Sequence, residues 1–270
     1  VSAPICRAAR HLKIPVVTCS YDSKPGMATK MQARYAATVA VAHTPSTLRR
    51  AQLTGAPVRA ELRHLDRGAS RAASRMRLGF SADAKLVVVM GGSLGSAVLN
   101  SATESLVAQM ESPSLANVAI LHIAGSRYME GQQLASEMRR PDGSMMYQRI
   151  AYSSNMSDIY AAADLVVARA GASTVAEIAT VGIASVLVPW KDAAENHQLT
   201  NAKSLSDPGG AVLLEESKLA DDVFVQLIGD LLGDESMRLH IANEARKLGE
   251  VHRNCSIAAV VEKAADGVVR

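Results

Sequence analysis

No stretch of this chain approaches the roughly 20 consecutive apolar residues that a membrane-spanning helix requires, and its start, VSAPICRAARHLK, lacks an apolar core followed by a cleavage site. A cytoplasmic location is the default expectation. Cysteine is scarce. Cys6, Cys19 and Cys255 lie far apart without metal-ligand spacing, which argues against a disulfide framework or a zinc site and favours small buried thiols. Internal repeats and low-complexity tracts are absent. The glycine cluster Gly91, Gly92, Gly95 lacks the Lys-Ser/Thr that completes a P-loop. It also lacks the acidic residue that a dinucleotide site places at the end of a second strand about 20 residues further on. A dinucleotide-dependent oxidoreductase is therefore a distant alternative.

What remains is a globular composition: 270 residues, 48% hydrophobic and 20% charged, enough for one large core or two modest ones. The net charge of +3 hides an asymmetry. Residues 1–80 carry 14 Lys and Arg against Asp22, Glu61 and Asp66, a net of +11, so residues 81–270 carry −8. A basic face attracts lipid headgroups, phosphorylated substrates or nucleic acid; ordinary solvated helix faces are the plainer reading.

Short apolar runs alternate with longer periodic segments. LVVVM (86–90), VAILHI (118–123), DLVVA (164–168), SVLVP (185–189) and AVLLE (211–215) read as buried parallel strands. The segments between them suit right-handed crossover helices, predicting a doubly wound α/β unit closed by helices at about 217–232, 235–249 and 255–267. Residues 1–57 hold a helix, a strand, a turn at Pro25 and Gly26, a second helix and a second strand. Those elements are too few to bury a core alone, so the chain is expected to begin inside a second α/β unit. RGASRAASRMR, before the second unit, reads as a basic connecting stretch.

VVVMGGSLGSAVLN, residues 87–100, runs a strand into a glycine bend and then a helix. Such a bend lets backbone N–H groups and the positive helix start meet a phosphate. A second strand ends at Arg169 and turns at Gly171 into a helix bearing Ser173, Thr174 and Glu177. Thr174 and Glu177 have capping-box spacing; Glu177 could equally accept hydrogen bonds from a ribose diol at the carboxyl edge of the sheet. A third helix starts near Asn196, His197 and Gln198, donors suited to hydroxyl-rich ligands.

GGSLGSAVLN, YAAADLVVARAGASTVAEIATVGIASVLVPW and ENHQLTNA, in this order and spacing, resemble the MurG family of peptidoglycan N-acetylglucosaminyltransferases, and GAPVR at 55–59 fits that family's domain junction. The resemblance covers nearly the whole chain. It implies an α/β GT-B glycosyltransferase: a remnant of an N-terminal acceptor-binding domain (1–57), a complete C-terminal UDP-sugar domain (58–254) and a C-terminal helix (255–270) packing back on the first. It implies inverting transfer of N-acetylglucosamine from UDP-N-acetylglucosamine to an undecaprenyl-pyrophosphoryl muramyl-peptide. The protein would work without cofactor or metal, peripherally on the inner face of the cell membrane against an anionic surface, with no nucleic-acid partner.

Carried over position by position, Ser93 and Arg59 resemble diphosphate contacts and Glu177 the ribose ligand. Ala172, Ser173 and Thr174 would form the turn against the donor sugar, Gln198 and His197 would meet its hydroxyls, and Met156 would be the apolar nucleobase contact. The chain departs from the family at Cys19 to Asp22, at Thr29 and at Leu94. The family's glycine-rich loop and candidate catalytic histidine are expected upstream of Val1, so no general base is assigned here and little transfer is expected of these residues alone. The alternative reading is a nucleotide-sugar-binding subunit working with a separate acceptor-binding chain.

Overall fold

Both faces of the main sheet must be covered, because β4 (Lys85–Met90), β5 (Val118–Ile123), β8 (Leu165–Ala168) and β9 (Ser185–Leu187) are apolar at nearly every position. The computed structural model describes residues 3–129, 135–219 and 222–266. In it Leu86, Val88 and Met90 point into one core layer, and Val87 and Val89 into the other. The sheet has seven strands in the order β10-β9-β8-β4-β5-β7-β6, with β7 at Met145–Ile150, β6 at Glu137–Arg139 and β10 at Val212–Leu213. All pairings are parallel except β6 with β7. Strand order reverses on either side of β4, and open α/β sheets bind ligands outside the carboxyl ends at that switch point.

Two layers of helices cover this sheet. The layer sharing its core with Leu86 and Val88 includes α6 (Met156–Ala162), α7 (Ala172–Val181), α8 (His197–Ser206) and α10 (Glu235–Leu248). On the other side lie α5 (Ala97–Ala108) and α9 (Asp222–Gly233), whose Leu99, Leu106, Phe224 and Ile228 are buried against Val87 and Val167.

The five predicted strands of this unit are all present, though the strand predicted at 211–215 is only two residues long. β6 and β7 were not expected. β7 alternates buried and half-buried positions and carries Arg149, so it lacks the continuous apolar run that marks a central strand.

The basic stretch RGASRAASRMR is not a connector. It forms α4 (Arg67–Leu78), started by Asp66, which accepts the Ala69 N–H, and stopped by Gly79 in the left-handed conformation. Arg67, Arg71 and Arg75 recur every four residues and so share one face. That face points inward: Arg67 donates to the carbonyls of Tyr160 (3.1 Å), Ala163 (2.6 Å) and Gly182 (3.2 Å). Arg71 and Arg75 both pair with Asp164, and Arg75 is 1% exposed. Arg77 pairs with Asp158 at the start of α6, holding its carboxyl down to about 2 with help from Ser74 and Asn155. Part of the sequence's basic excess is thus consumed by acids of the second unit. The exposed excess lies in residues 1–57, with eight Lys and Arg against Asp22 alone.

Those first residues form a three-stranded parallel sheet, β1 (Val17–Ser20), β2 (Thr38–Val41) and β3 (Ala51–Leu53), with α1 (Ala3–His11) and α2 (Met27–Ala33). Its core is small: Ala33, Ala36, Val39, Val41 and Leu48. The chain leaves it through Gly55, crosses to α3 (Ala60–Arg63) and much later returns through α11 (Glu250–Arg253) to α12 (Ile257–Asp266), which packs on β1 and β2. The two crossings touch. Gly55 has φ +75°, and a Cβ there would fall 2.2 Å from the Val251 carbonyl oxygen. Ser256 N–H donates to the Thr54 carbonyl at 3.1 Å. His252, 4% exposed, accepts the Ala56 N–H on Nδ1 at 3.0 Å, so this nitrogen is unprotonated.

Burial first, then the neighbouring His43 and Arg253, bring His252 down to about 4 from 6.5. The unfolded imidazole takes up its proton near 6.5, whereas the folded one refuses it until about 4, so the contribution of His252 is complete above pH 6.5 and is lost as pH falls through that window. His252→Asn keeps an acceptor but does not titrate. Urea melts between pH 7 and pH 4.5 should show its stability falling less steeply than the wild type's, by up to about 1.4 kcal/mol per pH unit. Equal slopes would mean that His252 is not the buried neutral group described.

Candidate functional site

The carboxyl end of β4 opens into Gly91–Ser96, and close packing explains why glycines stand there. Gly95 has φ +79°, and a Cβ on it would lie 2.1 Å from the Ala124 carbonyl oxygen; one on Gly125 would lie 2.6 Å from Gly95 Cα. Gly92, at φ +86°, faces open space and is needed for its backbone conformation alone. Ser96 caps α5 by accepting the Leu99 N–H, and Ala97 and Val98, the first two residues of this 12-residue helix, line the cleft with their N–H groups left over from the helix ladder. The end of β5 is held from below by a buried polar chain. Asn100 donates to the Ala124 carbonyl (3.1 Å) and accepts from His122 Nε2 (2.9 Å), while Tyr147 O–H meets His122 Nδ1 (2.9 Å). Burial keeps His122 neutral, down to about 4, with Arg149 adding to the effect.

A cavity of about 630 Å³ lies over this edge, and Ser93, Arg169, Thr174, Trp190, Lys191 and Gln198 are among its lining residues. Three predicted site residues from three separate segments, Ser93, Thr174 and Gln198, thus share one wall-to-wall space. Gln198 accepts the Trp190 N–H on Oε1 at 3.0 Å. Sequence reasoning noted Arg169 as a strand end but missed its work. Its guanidinium donates to Ser96 Oγ (2.8 and 3.2 Å) and to the Val188 carbonyl (3.3 Å), and pairs with Glu216 (2.6 Å). A lone arginine at the end of an apolar strand was the available signal.

The other predicted residues are not among the cavity's lining residues. Arg59, at the start of α3, donates to the Ser154 carbonyl (3.3 Å) and to Glu177 Oε1 (3.5 Å). Met156 opens α6 and packs on the core, half-buried. Ala172 and Ser173 form the first turn of α7, which carries Thr174 and Glu177. His197 starts α8 and donates Nδ1–H to the Ala194 carbonyl at 2.7 Å.

The capping-box reading of Thr174 and Glu177 does not hold. α7 begins at Ala172 with Gly171 before it and no side-chain cap, so Thr174 is the third helical residue and cannot cap. Glu177 instead accepts the Tyr160 hydroxyl on Oε2 at 3.0 Å. Burial raises its carboxyl above 4.5, opposed by Tyr160 and Arg59. Asp22, in the divergent Cys19–Asp22 stretch, accepts Asn201 Nδ2 at 2.9 Å, while Asn201 accepts the Ser23 N–H at 2.8 Å and also donates to the Ala170 carbonyl. Met27 N–H reaches Glu195 at 3.3 Å. Asn201 and Glu195 therefore fasten the first unit's turn to the rim of the cleft.

The model of the glycosyltransferase family 28 C-terminal domain matches residues 86–253. The UDP-N-acetylglucosamine--N-acetylmuramyl-(pentapeptide) pyrophosphoryl-undecaprenol N-acetylglucosamine transferase of Acidothermus cellulolyticus is 36% identical over 265 residues, covering 98% of this chain and 70% of its own. The chain belongs to the MurG family. The like-named proteins of Paenarthrobacter aurescens and Mycobacterium tuberculosis are each 34% identical over 92% of this chain, which spans 65% and 58% of their lengths. The crystal structure of Acinetobacter baumannii MurG superimposes with a TM-score of 0.74 at 25% identity, covering 97% of this chain and 70% of that one. Solved glycosyltransferases of lower identity share the same GT-B fold.

In a MurG-family cleft built this way, the tight packing of Gly95 has a measurable consequence. Gly95→Ala must move either its own turn or Ala124, and should cut affinity for UDP at least about tenfold while costing more stability than the roughly 1 kcal/mol expected for Gly92→Ala from backbone strain alone. Calorimetric titration and thermal melts of the two variants check this; equal effects would mean that Ala124 does not constrain the turn.

Proposed function

We propose that this chain binds UDP-N-acetylglucosamine at the carboxyl edge of β4 and β8 and serves the transfer of N-acetylglucosamine to a lipid-linked muramyl-peptide, as its relatives' names describe for them. The observation that carries the reading is the shared cavity of Ser93, Thr174 and Gln198 over the N-terminus of α5. Inverting transfer needs UDP to leave as negative charge grows on its diphosphate. Ser93 and the first-turn N–H groups of α5 would accept that charge, with Arg59 contributing from α3. Glu177 would hold the ribose diol, Met156 would lie against the uracil, and Ala172, Ser173, Thr174, His197 and Gln198 would border the sugar.

The division of the chain at residues 57/58 and 254/255 is part of the same proposal, supported by the two separate sheets and by the packing of α12 on β1 and β2. So is a peripheral location on the inner membrane face. No helix among the described residues is long and apolar enough to cross a membrane, and the exposed cations of the first unit, including Arg7, Arg10, Lys13 and Arg34, suit an anionic surface.

Titration calorimetry should show UDP and UDP-N-acetylglucosamine bound in preference to ADP and NAD. Glu177→Gln should weaken UDP by about 1.5 to 3 kcal/mol, the range for hydrogen bonds to a charged group, with the melting temperature nearly unchanged. Preference for ADP or NAD, or full UDP affinity in the variant, would contradict the reading. Binding to anionic vesicles should fall as salt shortens the screening length from about 10 Å at 0.1 M to about 3 Å at 1 M; equal binding to neutral vesicles would remove the electrostatic basis.

A further inference from the structure

We propose that Tyr160 is a positioning residue for the donor nucleotide: its buried hydroxyl holds Glu177 by one oxygen so that the other stays available to the ribose diol. The proposal rests on the assignment of the diol to Glu177 made above. Tyr160 lies in the middle of α6 and is completely buried. Its ring packs within the main core, and its hydroxyl donates to Glu177 Oε2 at 3.0 Å. The second oxygen, Oε1, has a loose 3.5 Å contact with Arg59, whose side chain is 39% exposed and is shared with the Ser154 carbonyl at 3.3 Å and Glu61 at 3.7 Å.

The two contacts are therefore unequal. An O–H from a rigid aromatic ring sets the carboxylate plane, because a buried tyrosine has little rotational freedom and an unmade bond here would strand two buried polar groups. A solvent-exposed arginine 3.5 Å away sets much less. A carboxylate has several acceptor positions, so one donor from below leaves Oε1 able to accept both hydroxyls of a vicinal diol.

The hydroxyl also bears on charge. Burial raises the Glu177 carboxyl, and Glu61 raises it further; Tyr160 and Arg59 oppose them. These are the ionisable groups facing Glu177 from α6 and from α3. Of the other helices packed on α7, α10 and α11 bring Arg246 against Gly182 and Arg253 to the Thr180 carbonyl, both at its far end, and α8 carries His197 and Lys203. Diol binding needs the ionised form, so it is present above the carboxyl's pKa and lost below it. Removing the tyrosine hydroxyl moves that loss to higher pH.

The experiment compares UDP with 2′-deoxy-UDP by calorimetry from pH 5 to pH 8 for the wild type, Tyr160→Phe and Glu177→Gln, with thermal melts of each. The wild type should prefer UDP. Tyr160→Phe keeps the ring in the core; it should lose about three- to tenfold in UDP affinity at pH 7.5, lose much less for 2′-deoxy-UDP, and show the acid loss of UDP binding displaced upward. Glu177→Gln should abolish most of the preference. If Glu177→Gln keeps the wild-type UDP to 2′-deoxy-UDP ratio, the ribose assignment fails and this inference with it. If that ratio collapses while Tyr160→Phe keeps the wild-type ratio and pH profile, the inference alone is overturned. An equal loss for both nucleotides with a lowered melting temperature also overturns it, since that is what a purely structural tyrosine would give.

Discussion

One buried guanidinium holds the carboxyl edge together. Arg169, at the end of β8, reaches the capping serine of α5, the backbone beyond β9 and the carboxylate of Glu216 beyond β10. Ser96 receives both the Leu99 N–H and Arg169, so the helix start that faces the cleft is fixed relative to the neighbouring strand. Arg169 and Glu216 are each about one-tenth exposed. Loss of either would leave the other as a buried unpaired charge, a cost of about 3 to 5 kcal/mol. The glycine turn, the cavity and the proposed diphosphate position all depend on this anchor, because a helix N-terminus attracts an anion only where its first N–H groups are held at the ligand.

A second set of contacts decides how the first sheet stands against that edge. Asn201, fully buried in α8, joins Asp22 and Ser23 to the carbonyl of Ala170, one residue past Arg169. Gly55 and His252 bring the outgoing and returning crossings into backbone contact. The cleft is thus fastened at its rim by an amide and at its base by a neutral imidazole. The carboxylate of Asp22, where the chain departs from the family, is engaged by Asn201 in this arrangement rather than standing alone.

The fold was legible where burial is two-sided. β4, β5 and β8 are apolar at nearly every position, the pattern that a parallel sheet covered on both faces requires. It was not legible where polar residues turn inward. The arginines of α4 have helical spacing, yet their composition reads as surface until Asp158, Asp164 and the carbonyls at the end of α6 are seen to receive them. At the site, glycine spacing and helix starts sufficed to bring Ser93, Thr174 and Gln198 together. Spacing could not choose between capping and ligand binding for Glu177, because the deciding partner, Tyr160, is 17 residues away in sequence. Arg59 was legible as a basic group at the junction, but its partner Glu177 lies 118 residues further on.

The central claim is that a uridine diphosphate lies along the edge from the Gly91–Ser96 turn to the first turns of α7. Hydrogen exchange followed by mass spectrometry, with and without saturating UDP, tests it directly. The account predicts protection concentrated in the segments spanning 91–98 and 171–178, with segments 10–16 and 34–38, at the opposite edge of the first sheet, unchanged. Protection confined to those distant segments, with the glycine turn and α7 exchanging as in the free protein, would contradict it.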